Sequence, residues 1–159
     1  MRKLIVILLL VLSPAHSNAQ GFYNNVWLTG NNPFTGFPNG RIVFDSTSYV
    51  HTPEMRKMSF QGTEATICNA QGNFLMSTNG IWIANANNDT MMNGSGLNPN
   101  GVTSSWPYGL PNTYTHIFLN QPGDTNNYIL LHHTFVQVGS NYYITEMYSS
   151  EINMQLDGG

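Results

Sequence analysis

Apolar and polar positions alternate in short runs along this chain, and no segment sustains a helical period. Runs rich in Val, Ile, Tyr, Phe and Thr stand between clusters of Gly, Asn and Pro, the pattern of short strands joined by turns. Phe22 to Leu28 is the first expected strand; the loop TGNNPFTGFPNG follows it, and Arg41 to Asp45 is the second strand. Ala65 to Asn69, Asn73 to Thr78 and Ile81 to Ala84 form an expected three-strand antiparallel meander. Its last turn carries Asn79-Gly80, a dipeptide that favours a tight hairpin because both central residues take positive φ. A second meander is expected from Tyr114 to Leu119, Tyr128 to His133, Tyr142 to Met147 and Ile152 to Leu156. Its turns fall at Gln121-Pro122-Gly123-Asp124 and around Gly139-Ser140-Asn141. Between the meanders, Asn85 to about Leu110 reads as one long loop, of a length that usually has a function or packs on itself. Repeated small meanders predict an all-β fold: the first blades of a β-propeller-like domain, or alternatively a self-contained β-sandwich.

The first 19 residues stand apart. MRKLIVILLLVLSPAHSNAQ has a basic start, an apolar run from Leu4 to Leu12 and small residues at Ser17 and Ala19, which reads as a secretory signal peptide cleaved after Ala19. The apolar run is too short to span a bilayer. The expected protein is therefore exported through the periplasm to the cell surface or beyond, with no membrane span after cleavage, and residues 20–159 form the propeller-like region.

Charge narrows the function. Removing the leader leaves Arg41, Arg56 and Lys57 against eight acids, a net charge near −5. That balance offers no basic patch for phosphates, so nucleic acid is not an expected partner. Charged residues make up only 8% of the chain, against about 25% in an average globular protein, so Asn, Ser, Thr and Gly do the solvating. Aromatics at 12% supply material for a core. The single cysteine, Cys68, reads as a small buried apolar residue on a strand.

Asn85, Asn87 and Asp89 have the spacing of a calcium loop, but Thr90 stands where Gly is required and no Glu follows at the twelfth position. A turn held by Asn side chains on their own backbone explains the same residues. His132 and His133 are adjacent on a strand and point to opposite faces, so they do not share one ion. His116 and Glu146 complete no fixed ligand geometry with them. No metal or cofactor is expected. Asn93-Gly94-Ser95-Gly96 lacks the spacing of a nucleophile elbow. Glu54 and Glu64 remain open as a carboxylate pair. Trp82, Trp106 and Tyr108, with Asn and Ser neighbours, are the residues a glycan- or protein-binding face would use. For Trp82 the competing reading is filler between blades. Asp89-Thr90-Met91 resembles an O-glycosylation pattern, which makes Thr90 a candidate modification site.

Several segments resemble one family. Phe60-Gln61-Gly62 with Ala65-Thr66-Ile67, Gly72-Asn73-Phe74-Leu75, Asn79-Gly80-Ile81-Trp82 and Met92-Asn93-Gly94 with Gly96-Leu97 are similar to the "EG-ATISD", "GNLLFYTDG", "ITVWN" and "MPNGTGL" stretches of secreted Bacteroidota surface proteins. Ile117-Phe118-Leu119 with Pro122-Gly123 and Tyr128-Ile129-Leu130 resembles "IVPKPG…YYIFT", and Ile152-Asn153-Met154 to Asp157-Gly158-Gly159 resembles "VDMSLNGG". Cys68-Asn69 and Thr78-Asn79 depart from the family's Ser-Asp and Thr-Asp. The resemblance implies export by the type IX secretion system and, in longer members, further blades and a gliding-motility-type sorting domain. On that pattern the chain is a fragment. It implies a non-enzymatic scaffold or adhesion role, with surface glycans or other surface proteins as partners. The alternatives are a secreted hydrolase, with catalytic groups outside this chain or near Glu54, Glu64 and the histidines, and a carbohydrate-binding sandwich using Trp106 and Tyr108.

Overall fold

In the computed structural model, residues 22–30, 38–113 and 115–156 are described. The expected signal peptide, the centre of the loop TGNNPFTGFPNG, Tyr114 and the closing Asp157-Gly158-Gly159 lie outside them. The described chain is all-β, arranged as three open antiparallel sheets. The first holds β1 (Val26–Thr29), β2 (Asn39–Phe44) and β3 (Tyr49–Glu54) in sequence order. The second holds β4 (Ala65–Cys68), β5 (Phe74–Thr78), β6 (Trp82–Asn85) and β7 (Thr90–Ser95). The third holds β8 (Ile117–Asn120), β9 (Asn127–Val138) and β10 (Asn141–Asn153), with β10 at one edge. A five-residue helix α1 (Gly101–Ser105) lies between the second and third sheets in sequence. No helix among the described residues is long and apolar enough to cross a membrane.

The second sheet is buried on both faces. One face, with Ile67, Met76, Ile83 and Met91, packs against Phe118, Tyr128, Leu130 and Ile152 of the third sheet. The other, with Cys68, Phe74 and Ala84, packs against Val26 and Leu28 of the first sheet and against Met58 and Phe60. Cys68 is fully buried, and burial pushes its thiol pKa upward. Each fully buried aliphatic such as Leu28 or Leu130 contributes about 2 kcal/mol. The first strands of the three sheets are neighbours: β1 packs beside β4, and β4 beside β8.

The elements differ from the sequence expectation at five places. β3 lies outside the expected strands, because Tyr49-Val50-His51-Thr52-Pro53-Glu54 has no alternation; nearly all of it is exposed on an edge strand. The expected loop from Asn85 to Leu110 contains both β7 and α1. Tyr142–Met147 and Ile152–Leu156 are not two strands: β10 runs unbroken to Asn153 and then turns. Asn79-Gly80 does not form a two-residue hairpin with both residues at positive φ. Only Gly80 is there, at 87°, and Thr78 pairs with Ile83 across a wider connection. The reason is that Asn79 is buried and its side chain is used elsewhere. It donates to Ser59 O at 3.1 Å and accepts from Ile81 N at 3.1 Å. Gly80 is required there a second time, since a Cβ would lie 2.7 Å from Leu110 Cδ1. Finally, β1 and β2 join β3 in a sheet of their own, so there are three meanders where two were expected.

Candidate functional site

The polar centre of the molecule is built around Asn98. Gly96 at φ 74° and Asn98 at φ 52° bend the chain after β7; Asn tolerates this left-handed region better than other non-glycine residues. Leu97 between them donates its N–H to Ile81 O at 2.9 Å and packs against the core between the second and third sheets. Two residues on, Asn100 caps α1 by accepting from Thr103 N at 3.0 Å, and its amide donates to Phe135 O at 3.0 Å. Val102 of α1 packs with Phe135 and Leu110. The segment from Gly96 to Ser105 is thus fastened to the second sheet at one end and to β9 at the other.

Hydrogen-bond partners fix the proton positions around Asn98. Its Nδ2 donates to Gly80 O at 3.0 Å, and a carbonyl only accepts, so the amide orientation is settled. Oδ1 therefore faces His132 Nδ1 at 2.6 Å, and that nitrogen carries the proton. His132 Nε2 is then the acceptor for the Ser150 hydroxyl, 2.9 Å away. The second Nδ2 proton of Asn98 goes to His116 Nε2 at 3.2 Å. His116 Nδ1–H donates to Thr115 Oγ1 at 2.9 Å, Thr115 to Thr63 Oγ1 at 3.1 Å, and Thr63 to Asn112 O at 2.7 Å. Every donor in this chain meets an acceptor when both histidines are neutral. Burial lowers the His116 pKa to about 3, helped by the neighbouring His132 and His133, and burial with His133 also lowers that of His132. The two rings stack with centroids 6.0 Å apart, and Tyr148 stacks on the far side of His132 at 5.7 Å.

Asn98, His132 and Ser150 of this network line an open cleft of about 700 Å³. Leu97, Pro99 and Val136 give it apolar walls; His132, Tyr148 and Ser150 present polar groups and an aromatic face. The Tyr148 hydroxyl donates to the Glu146 carboxylate, which raises the phenol's pKa. No lysine or arginine is among the lining residues.

The residues singled out from sequence are not gathered here. Trp82 is partly buried against the core shared by the first and second sheets. Trp106 is half-buried and meets Tyr142 edge-on at 6.3 Å, whereas Tyr108 is 47% exposed. Thr90 is exposed at the start of the edge strand β7, beside Asp89, which pairs with Lys57. Asn85 Oδ1 accepts from Asn87 N at 2.9 Å and Asp89 N at 3.1 Å, the turn that accounts for the calcium-like spacing. Glu54 is held by Arg41. Among the described residues no three His, Cys, Asp or Glu side chains are grouped to hold a metal ion. Asn98 and Ser150 escape the sequence reading, since neither sits in a motif; His116 and His132 enter it as metal ligands and among the histidines of the hydrolase alternative, without these partners.

No family model matches this chain, and no curated protein or solved structure matches it.

Proposed function

We propose that this chain is a binding region of an exported surface protein, and that the cleft over β9 and β10 seats a neutral polar ligand such as a surface glycan. One observation carries the reading: the cleft combines the Tyr148 ring, the Ser150 hydroxyl, the Glu146 carboxylate and apolar walls, with no basic side chain among its lining residues. Sugars are held by this mixture, stacking a C–H face on an aromatic ring while hydroxyls meet fixed polar partners. The network beneath the cleft is already satisfied, so the Ser150 and Tyr148 positions are set before a ligand arrives. Export and a role at the cell surface rest on the leader-like first 19 residues and on the family resemblance.

The architecture we propose is propeller-like. Three consecutive meanders have their first strands side by side and their later strands running outward, which is how blades are arranged about an axis.

A glycan array probed with wild-type protein tests the binding reading. We expect binding to neutral oligosaccharides that weakens at least tenfold in Tyr148→Ala and persists in Trp106→Ala. Binding lost in Trp106→Ala and kept in Tyr148→Ala would move the site to the Trp106–Tyr108 surface.

A further inference from the structure

The same cleft holds the geometry of a nucleophile with its base, and we propose that Ser150 attacks acyl esters of neutral, sugar-like alcohols, with His132 as general base and Asn98 as its positioning residue. This goes beyond ligand binding and rests on that reading for its substrate class. Three relations carry it. The Ser150 hydroxyl lies 2.9 Å from His132 Nε2, within the range of a nucleophile–base pair. His132 Nδ1 lies 2.6 Å from Asn98 Oδ1, and the Gly80 carbonyl fixes that oxygen in place. The imidazole is therefore held in the one tautomer whose Nε2 can take a proton from serine. Ser150 also sits where two clefts meet, the one of about 700 Å³ and a second of about 490 Å³ on the side of Met91 and Gly94, with Leu97 common to both. That placement gives an acyl group and a leaving alcohol separate sides of the hydroxyl.

A donor for the developing oxyanion follows from the strand register. Met154 donates to Asn126 O at 2.9 Å, continuing the register in which Ile152 pairs with Tyr128 and Ser150 with Leu130. Antiparallel pairs alternate between bonded and non-bonded types, so the even residues here turn their backbone toward β9. The odd residues, Glu151 among them, turn theirs to the open edge. The Glu151 N–H, one residue after the nucleophile, is thus the amide available to a tetrahedral oxyanion.

The chemistry balances with water as the only co-reactant. Ser150 Oγ bonds to the ester carbonyl carbon while its proton passes to His132 Nε2. The C–O bond to the alcohol breaks, and the alcohol leaves with that proton. Water, deprotonated by His132, then attacks the acyl-serine; the carboxylic acid departs and the serine regains its proton.

The test is labelling of the intact protein with a fluorophosphonate probe, followed by peptide mapping, alongside hydrolysis of p-nitrophenyl acetate and acetate release from peracetylated glucose. We expect the probe on Ser150 and hydrolysis at least 100-fold lower in Ser150→Ala, which loses one hydroxyl and should fold normally by circular dichroism. A wild-type protein that incorporates no probe between pH 6 and 9 overturns the proposal. So does hydrolysis undiminished in Ser150→Ala. Array binding retained in Ser150→Ala alongside either result would leave the cleft as a binding site and remove only the catalysis.

Discussion

At the scale of single residues, Asn98 carries most of the organisation. One side chain joins the β5–β6 connection through Gly80, the approach to β8 through His116, and β9 through His132. Its own backbone sits at φ 52°, and its carbonyl accepts from Thr103. Replacing it with alanine leaves three buried groups short of partners and adds a left-handed backbone cost. We expect Asn98→Ala to lose about 3 kcal/mol in urea unfolding. Asn98→Gly should lose about 1 kcal/mol less, since glycine accepts that φ freely. Equal losses for the two variants would show that the backbone geometry carries no cost. The histidines add a dependence on pH. Unfolded histidine takes a proton near pH 6.5, whereas buried His116 resists until about 3. Between those values the unfolded state binds more protons, so stability falls as pH falls, by up to about 1.4 kcal/mol per unit for each such histidine. His132, lowered likewise, adds to the slope; His133, Tyr148 and Glu146 are the titratable groups nearest this pair. Glu64 opposes it, because its carboxyl is raised from 4.5 to about 7 by burial, although its side chain still reaches water. Measured in Glu64→Gln, unfolding midpoints should therefore decline steadily from pH 6.5 to 4.5. A flat profile there would mean that the histidines are not buried as neutral groups.

At the scale of elements, most strands were legible because their alternation was strong. Ala65–Cys68, Phe74–Thr78 and Trp82–Asn85 fall within one residue of the expected limits. What was not legible is register. The Gly139-Ser140 turn, with Gly139 at φ 62°, pairs Val138 with Asn141 as a glycine-first two-residue hairpin should. Counting outward from that turn places His132 opposite Met147. A bulge between Ile144 and Glu146 shifts the pairing by one, so Tyr148 stands opposite His132 instead. Because alternate residues face opposite sides, this single insertion decides that Tyr148 and Ser150, not Met147 and Ser149, share the face of His132. Bulges leave no clear mark in one sequence. Asn98 was hidden for a different reason: it lies in a Gly/Asn/Pro stretch whose composition signals a turn and says nothing of what the side chain will reach. Likewise Asn79-Gly80 carried a strong local hairpin signal, and tertiary hydrogen bonds to Ser59 and Leu110 overrode it.

At the scale of the whole molecule, three sheets are stacked through two apolar cores, and part of the polar network lines an open cleft on the third sheet, where Leu97 reaches the core it shares with the second. The all-β architecture was readable from the punctuation of the chain; the meeting of β9, β10 and the Asn98 segment was not, because it depends on contacts 18 to 34 residues apart. Both histidines bonded to Asn98 are neutral and protonated on Nδ1, His132 held so by Asn98 and His116 by Thr115. Long-range proton–nitrogen NMR of the imidazole rings at pH 7 tests this directly, since free neutral histidine favours the other tautomer. His132 and His116 should each carry the proton on Nδ1, with Nε2 in the acceptor state. Either ring protonated on Nε2, or on both nitrogens, would contradict it.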